Sequence, residues 1–297
     1  MQEITPIIVI GMNRTGTKWL SNTLCKHENV IGAQSERGRG ILETNMFGAM
    51  QDKFDLSFPD EYVGFLEMWS MTELFRQTKV DKEMFYKLQP RPREMLQLFD
   101  LLMCEFARKN NKTFWLQKTS PLRAAEVLNY FDRARVVITR RNILDTLKST
   151  WAMKARHGSR RILRTTYAFV RDRKSLDRLA KRYKIVEVHY EVFRAQTESE
   201  VTRLCLALGL DPEKMLSRTS FRRNTSFENE RERENIMSNR ERLLVKVAAA
   251  CFKLIPLPLM TVASTIKTRL WGRKRIPLMS GTFGELFDQL EDRLKYN

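Results

Sequence analysis

The sequence predicts an α/β fold of three layers, a central parallel sheet flanked by helices and helix-rich overall. Two observations carry this. The runs P-I-I-V-I-G (6–11) and R-V-V-I-T (135–139) are short, β-branched and without alternation, the pattern of strands buried on both faces. Helical patterns separate the strand candidates, as the crossovers of parallel strands require. The 297 residues allow one large domain or two small ones, and 42% hydrophobic content is enough to bury a core.

Taken in order, residues 6–11 form the first strand, and after a turn 18–27 form a helix. Residues 32–40 are a polar, Gly-containing loop. Residues 44–112 carry helical apolar spacing at Phe65, Leu66, Trp69 and Leu74, and again at Met95, Leu98, Phe99, Leu102 and Phe106. Residues 113–117 form a second strand, 121–131 a helix, 135–139 a third strand and 142–154 a helix. A fourth strand spans 185–190. The helix 198–208 stops at Gly209, which suits a left-handed C-terminal cap. No internal repeat is present.

Lysine and arginine total 53 against 35 acids, a net charge of +18. Such a surplus must face an anion: nucleic acid, an acidic membrane, or a phosphorylated or sulfated small molecule. Helix-turn-helix, zinc-finger and RNP-type signatures are missing, so nucleic acid is set aside. Cys25, Cys104, Cys205 and Cys251 form no CxxC pair, which argues against structural zinc or a disulfide framework and for free thiols in a reducing compartment. The N-terminal MQEITPIIVIG has no basic-then-apolar leader, so the expected location is cytoplasmic, with peripheral membrane contact as an option.

The strongest signal is G11-M-N-R-T-G16-T17-K18-W-L between a buried strand and a helix. Such a loop offers backbone N–H groups and a helix N-terminus to a phosphate. Gly11 and Gly16 permit the tight turn, Thr15 and Thr17 add hydroxyls, and Arg14 and Lys18 add charge. A glycine turn that binds nothing is the plain alternative. The glycine spacing is that of GxxxxGK[ST], but the lysine comes one place late and Trp19, not a hydroxyl, follows it. The magnesium apparatus of that loop is therefore missing, and no metal site is expected.

Together with V136-V-I-T-R-R141-N142-I143-L144-D145-T-L-K-S149, this P-loop-like segment resembles the PAPS-dependent sulfotransferase superfamily. The first segment is similar to the family's 5′-phosphosulfate loop. The second is similar to the strand and R-[DN]-P-x-[DE]-x-x-x-S run that grips the 3′-phosphate, with Ile143 in place of the proline. L116-Q117-K118-T119-S120-P121 resembles an element of carbohydrate sulfotransferases, H189-Y190-E191-V192-F193 the Y-E-x-L strand, and F221-R222-R223-N224 a late basic loop that closes over the nucleotide. The likeness spans about residues 6–226 and lies nearer the carbohydrate and bacterial branches than the cytosolic phenol branch.

The resemblance implies PAPS as co-substrate, bound by Arg14, Thr15, Gly16, Thr17, Lys18, Trp19, Arg141, Ser149, Arg222 and Arg223. Arg14 is assigned to the leaving phosphate or the sulfuryl group, where guanidinium grips two oxygens. Lys118 is a second cation; the alternative is an exposed lysine after a strand. An acceptor hydroxyl needs a general base. Glu43 loosely fits a K-E-x-x-F-F element whose glutamate is the base, with Phe47 matching and Leu42 in place of the lysine. Glu36 and His157 are its rivals, and either glutamate could instead be a loop carboxylate balancing a basic cleft. Gln117 cannot ionise. His27, near a helix end, and His189, on the fourth strand, read as structural.

Residues 228–242 are a mixed-charge run read as a solvated helix. Residues 243–266 are apolar, and Arg269, Arg273, Lys274 and Arg275 follow. The uncharged run 254–266 is too short to span a bilayer. Two readings remain for 243–275: an arm packed on protein, or an in-plane contact with an anionic membrane. The chain thus divides into a PAPS-binding domain (1–240) and an appendage (241–297). The expected activity is metal-independent transfer of a sulfuryl group from PAPS to a hydroxyl of a glycan, lipid or small molecule. A P-loop kinase-like phosphotransferase and a non-catalytic membrane-surface nucleotide-binding protein are the alternatives.

Overall fold

The computed structural model describes residues 3–38, 40–44, 54–121, 124–155, 162–216 and 236–261. Five strands, β1 (Thr5–Ile10), β2 (Val30–Ile31), β3 (Phe114–Thr119), β4 (Arg135–Arg140) and β5 (Ile185–His189), make one sheet in the order β2-β3-β1-β4-β5. Every pairing is parallel. β1 lies at the centre with Ile7 to Ile10 wholly buried. Each such side chain contributes about 1.5–3 kcal/mol by leaving water, which is why this run anchors the sheet.

The pleat of the strands divides the core in two. Ile8 and Ile10 of β1, Trp115 of β3, and Val136 and Ile138 of β4 face one layer. That layer is built from α2 (Pro59–Ser70), α3 (Glu73–Thr78), α4 (Glu83–Tyr86), α5 (Met95–Lys109), α6 (Ala124–Tyr130) and α8 (Ile162–Arg182). Ile7, Val9, Leu116, Val137 and Val188 face the other, formed by α1 (Thr17–Leu24), α9 (Tyr190–Ala195) and α10 (Thr197–Ala207). The expected three-layer α/β architecture is therefore present. α7 (Ile143–Ala155) follows β4. α11 (Asn239–Leu254), opened by a capping box between Ser238 and Glu241, packs on α7 and α8 through Val245, Ala248 and Ala249.

Several details differ from the sequence expectation. β3 runs on to Thr119 because its register with β1, Val9 against Lys118 and Ile10 against Thr119, continues the ladder. The fourth strand stops at His189, and Tyr190 opens a helix. α8 was not anticipated: it is dense in charge, and its buried positions Thr166, Val170, Leu176 and Leu179 form only a narrow stripe. The described end of the mixed-charge run, residues 236–242, supplies the cap and first turn of α11, which runs on into the apolar segment; residues 228–235 and 262–275 lie outside the described residues. All four cysteines are free thiols.

Candidate active site

The carboxyl ends of β1, β3 and β4 lie side by side, Ile10 opposite Thr119 and Ile138. In open parallel sheets this edge is where ligands bind. The loop after β1 turns back at once: Thr15 donates its N–H to Met12 O (3.2 Å) and its hydroxyl to the same oxygen (2.7 Å). Thr15 Oγ1 also lies 2.7 Å from Thr139 Oγ1 at the end of β4. The hydroxyl and N–H of Thr15 are thus engaged in shaping the loop. A Cβ on Gly11 would fall 2.0 Å from Thr139 Oγ1, so only glycine permits this approach.

Arg14 (φ 71°) and Gly16 (φ 94°) take left-handed backbone conformations. At Gly16 a Cβ would also meet the Tyr190 ring at 2.5 Å. Gly16 then opens α1 without a side-chain cap and with no acid in the first turn. The first N–H groups of a helix lack intrahelical partners, and here they carry the partial positive charge that favours an anion. Thr17, Lys18 and Trp19 occupy this first turn, and Trp19 packs edge-on against Tyr190 and Phe193.

The β4–α7 turn reaches across to this loop. Arg141 donates from Nη1 to the Arg14 carbonyl (2.7 Å), and Arg14 donates from Nε to Ser149 Oγ on α7 (2.9 Å). The Arg141 guanidinium lies 4.2 Å from the centre of the Tyr190 ring, a cation–π geometry. Glu191 fixes the same turn by accepting the Asn142 N–H at 2.9 Å. Burial, and then the nearby charge of Arg141, pull the Arg14 guanidinium below its ordinary pKa. Two like charges are held together by two separate segments, an arrangement that a bound anion relieves.

On the other side of β1, Lys118 is 3% exposed and donates to Glu43 Oε1 at 2.8 Å, while the Glu43 side chain is 60% exposed. The reading of Lys118 as an exposed lysine after a strand is thereby corrected: the longer β3 buries it. Glu43 pairs with Lys118 as an isolated parallel bridge. Partial burial opposes ionisation of Glu43, but the charge and hydrogen bond of Lys118, with the charge of Lys18, outweigh it and hold the carboxyl below the usual glutamate range. The loop carrying Glu43 is tied to α1 by Asn22, whose Oδ1 accepts the Ile41 N–H at 2.8 Å. It is tied to β3 by Gln117, which donates to Leu42 O at 3.2 Å.

The structure thus brings Arg14, Gly16, Thr17, Lys18, Trp19, Lys118, Glu43, Arg141 and Ser149 to one edge of the sheet. Glu36 accepts a hydrogen bond from Gln77 on α3. Phe47, His157, Arg222 and Arg223 lie outside the described residues. His27 is buried, with Nε2 2.9 Å from Asp211 O and Nδ1 accepting the Asn29 N–H, a latch between loops. Sequence reasoning missed the roles of Thr139, Asn22, Tyr190 and Glu191. The last two were visible as the Y-E pair, but nothing in one dimension shows that they brace the turn after β4. No cluster of three or more metal-ligating side chains occurs among the described residues.

A fold with a phosphate-type loop after β1 and an arginine–serine turn after β4 defines a class that the comparisons now specify. The chain belongs to the sulfotransferase family, whose model matches residues 6–214 of the 297. It is thereby an enzyme of sulfuryl transfer. A comparison with curated proteins gives no match. Among solved structures, the chain is similar to the sulfotransferase domain from the Synechococcus PCC 7002 olefin synthase, at 18% identity over 90% of this chain and 96% of that one, TM-score 0.46. The sulfotransferase domain from the curacin biosynthetic pathway matches at 12% identity over 97% and 98%, TM-score 0.47. Sulfotransferase STF1 from Mycobacterium tuberculosis H37Rv matches at 14% identity over 88% and 76%, TM-score 0.39.

Proposed function

We propose that this chain moves a sulfuryl group from PAPS to an acceptor hydroxyl, with no metal in the transfer step. The observation that supports this most is the contact of Arg141 with Arg14: two motifs far apart in sequence meet at the carboxyl edge of the sheet, where the Arg141 guanidinium donates to the Arg14 carbonyl at 2.7 Å and its charge acts on the Arg14 side chain. The donor set suits a 3′-phosphorylated 5′-phosphosulfate. The uncapped N-terminus of α1, with Arg14 and Lys18, takes the 5′ side. Arg141 and Ser149 take the 3′-phosphate, and Arg222 and Arg223 close over the nucleotide. Trp19 holds the loop against Tyr190.

The chemistry needs fixed positive charge where negative charge develops. Arg14, Lys18 and Lys118 supply it without reorganisation. Glu43 accepts the acceptor's hydroxyl proton as the sulfuryl group arrives. Lys118 keeps Glu43 ionised beforehand. Once the proton has passed, Glu43 is neutral and the full charge of Lys118 turns to the sulfuryl oxygens. Residues 1–240 form the PAPS-binding unit and 241–297 an appendage, and the enzyme works in the cytoplasm or at its membrane face.

The test is turnover with labelled PAPS against pooled glycans, lipids and small phenols, with and without chelator. Transfer of label that survives chelation is expected. Phosphoryl transfer from ATP with magnesium, and none from PAPS, would refute the reading.

A further inference from the structure

α11 has two apolar faces. Its inner seam, Val245, Ala248 and Ala249, is closed by Leu147 and Trp151 of α7 and Val170 of α8. On the opposite side Leu243, Val247, Ala250 and Leu254 recur at i, i+4, i+7 and i+11, which places them on one stripe. All four are exposed, Leu254 by 85%. A helix that serves only to close a core is polar on that side, so the stripe needs an occupant.

The charges around the stripe point to which one. Exposed Lys246 and Lys253 run along one edge, and exposed Arg240 lies toward the other. Glu241, the only acid of α11, is engaged in its capping box. From residue 242 to 284 the sequence carries eight Lys or Arg and no Asp or Glu, where the chain's 35 acids in 297 residues would place about five. A second copy of this helix would offer the lysines no acid, only the same lysines or an apolar edge. Nucleic acid would satisfy the lysines but leave the leucines in water.

We infer that the outward stripe of α11 docks on an anionic lipid bilayer, lying in the plane of the interface. Leu243, Val247, Ala250 and Leu254 enter the headgroup–acyl boundary, while Lys246 and Lys253 lay their methylene stems along it and reach the phosphates. The packed-arm and membrane readings of this segment are then two faces of one helix. The binding itself does not depend on the sulfuryl-transfer reading.

The full chain is labelled at Cys251, the exposed thiol beside the stripe, with a polarity-sensitive fluorophore, and peptide mapping checks the site of labelling. It is then mixed with phosphatidylcholine vesicles with and without phosphatidylserine. Co-sedimentation and a blue shift of the Cys251 probe are expected with phosphatidylserine only, both weakened by salt. Leu243→Glu/Val247→Glu/Leu254→Glu should abolish both signals while the melting temperature and PAP affinity hold, since these side chains face solvent. Lys246→Glu/Lys253→Glu should lower partitioning by at least about tenfold, at about 1 kcal/mol per cation near an anionic leaflet.

Four results would overturn the inference. One is a lack of vesicle binding. Another is sedimentation that leaves the probe unshifted and survives the leucine variants. A probe already blue-shifted in vesicle-free monomer would mean that residues 262–297 cover the stripe. A dimer lost in the leucine variant would make the stripe a contact between copies.

Discussion

Two buried cations lie at the carboxyl ends of the strands on either side of β1. Lys118 is next to last in β3 and Arg140 is last in β4, each only 3% exposed. Arg140 faces the α8 layer and is saturated: Nη1 donates to Asp177 at 2.6 Å and Nη2 to Glu187 at 2.5 Å. Burial opposes its charge, but those two carboxylates outweigh this and raise its pKa. Lys118 points toward the α1 side, and Glu43, its carboxylate partner, is mostly exposed. A cation with two fixed carboxylates has no charge left for a substrate and serves as a clasp between β4, β5 and α8. A cation whose partner faces the open edge can share its charge with a developing anion. Burial alone does not distinguish the two; the number of carboxylates that hold each cation does, two for Arg140 against one for Lys118.

The comparison can be broken at several points. Glu43→Gln keeps the shape and removes the ionisable group, so kcat should fall by about 10²–10⁴-fold with PAP affinity nearly unchanged. Glu36→Gln, measured at the same saturating PAPS and acceptor, should do much less. A near-normal kcat for Glu43→Gln would remove it as the base. Next in size, Lys118→Met should lower kcat by about 10²–10³-fold, the loss typical of one charge-stabilising group, while the protein stays folded by circular dichroism.

Arg140→Met should do the reverse. Breaking a fully buried pair costs about 3–5 kcal/mol, reduced here to about 2–3 kcal/mol because Asp177 and Glu187 are partly exposed. Denaturant unfolding should show that loss, with kcat per folded molecule near wild type. A catalytic defect without a stability defect would cancel the distinction drawn between the two cations.

Arg141→Ala, one residue further along, should cost PAP about 1.5–3 kcal/mol of binding. The same change should cost AMP, which lacks the 3′-phosphate, much less; calorimetry with both nucleotides decides. Equal losses would mean that Arg141 holds a different phosphate. The smallest effect concerns pH. Because the Glu43 pKa is lowered, the carboxylate stays charged above that depressed value, and its contribution is lost only as pH falls through it. The acid limb of kcat should therefore lie below the usual glutamate value of about 4.3. Lys118→Met should move the limb upward in the residual activity. An unmoved limb would mean that the pair does not govern the base.

Much of this was legible in one dimension. The β-branched runs at 6–11 and 135–139 mark strands that the structure contains, and Gly209 takes the left-handed conformation (φ 66°) expected of a helix stop. α8 was hidden because Lys and Arg on its outer face dilute the apolar stripe. β2 was hidden because a two-residue strand carries no period. Glu43 was reachable only through a loose motif, since its loop has no regular structure and owes its position to Asn22 and Gln117.

By itself the sequence determined the alternation of strand and helix, the glycine turn after β1, and the eight-residue spacing from Arg141 to Ser149. These are local properties, set by side-chain branching, glycine conformation and position along a helix. The tertiary structure alone decided which cations serve the site. Arg140 and Arg141 are adjacent and chemically identical, yet the pleat sends the first into carboxylates on α8 and β5, while the second passes beyond the strand end to the Arg14 carbonyl. Lys118 and Glu43 lie 75 residues apart and meet because β3 extends far enough to bury the lysine beneath the loop that carries the acid. Charge is written in the sequence, but its partner and its exposure are set by distances between segments that only folding brings together.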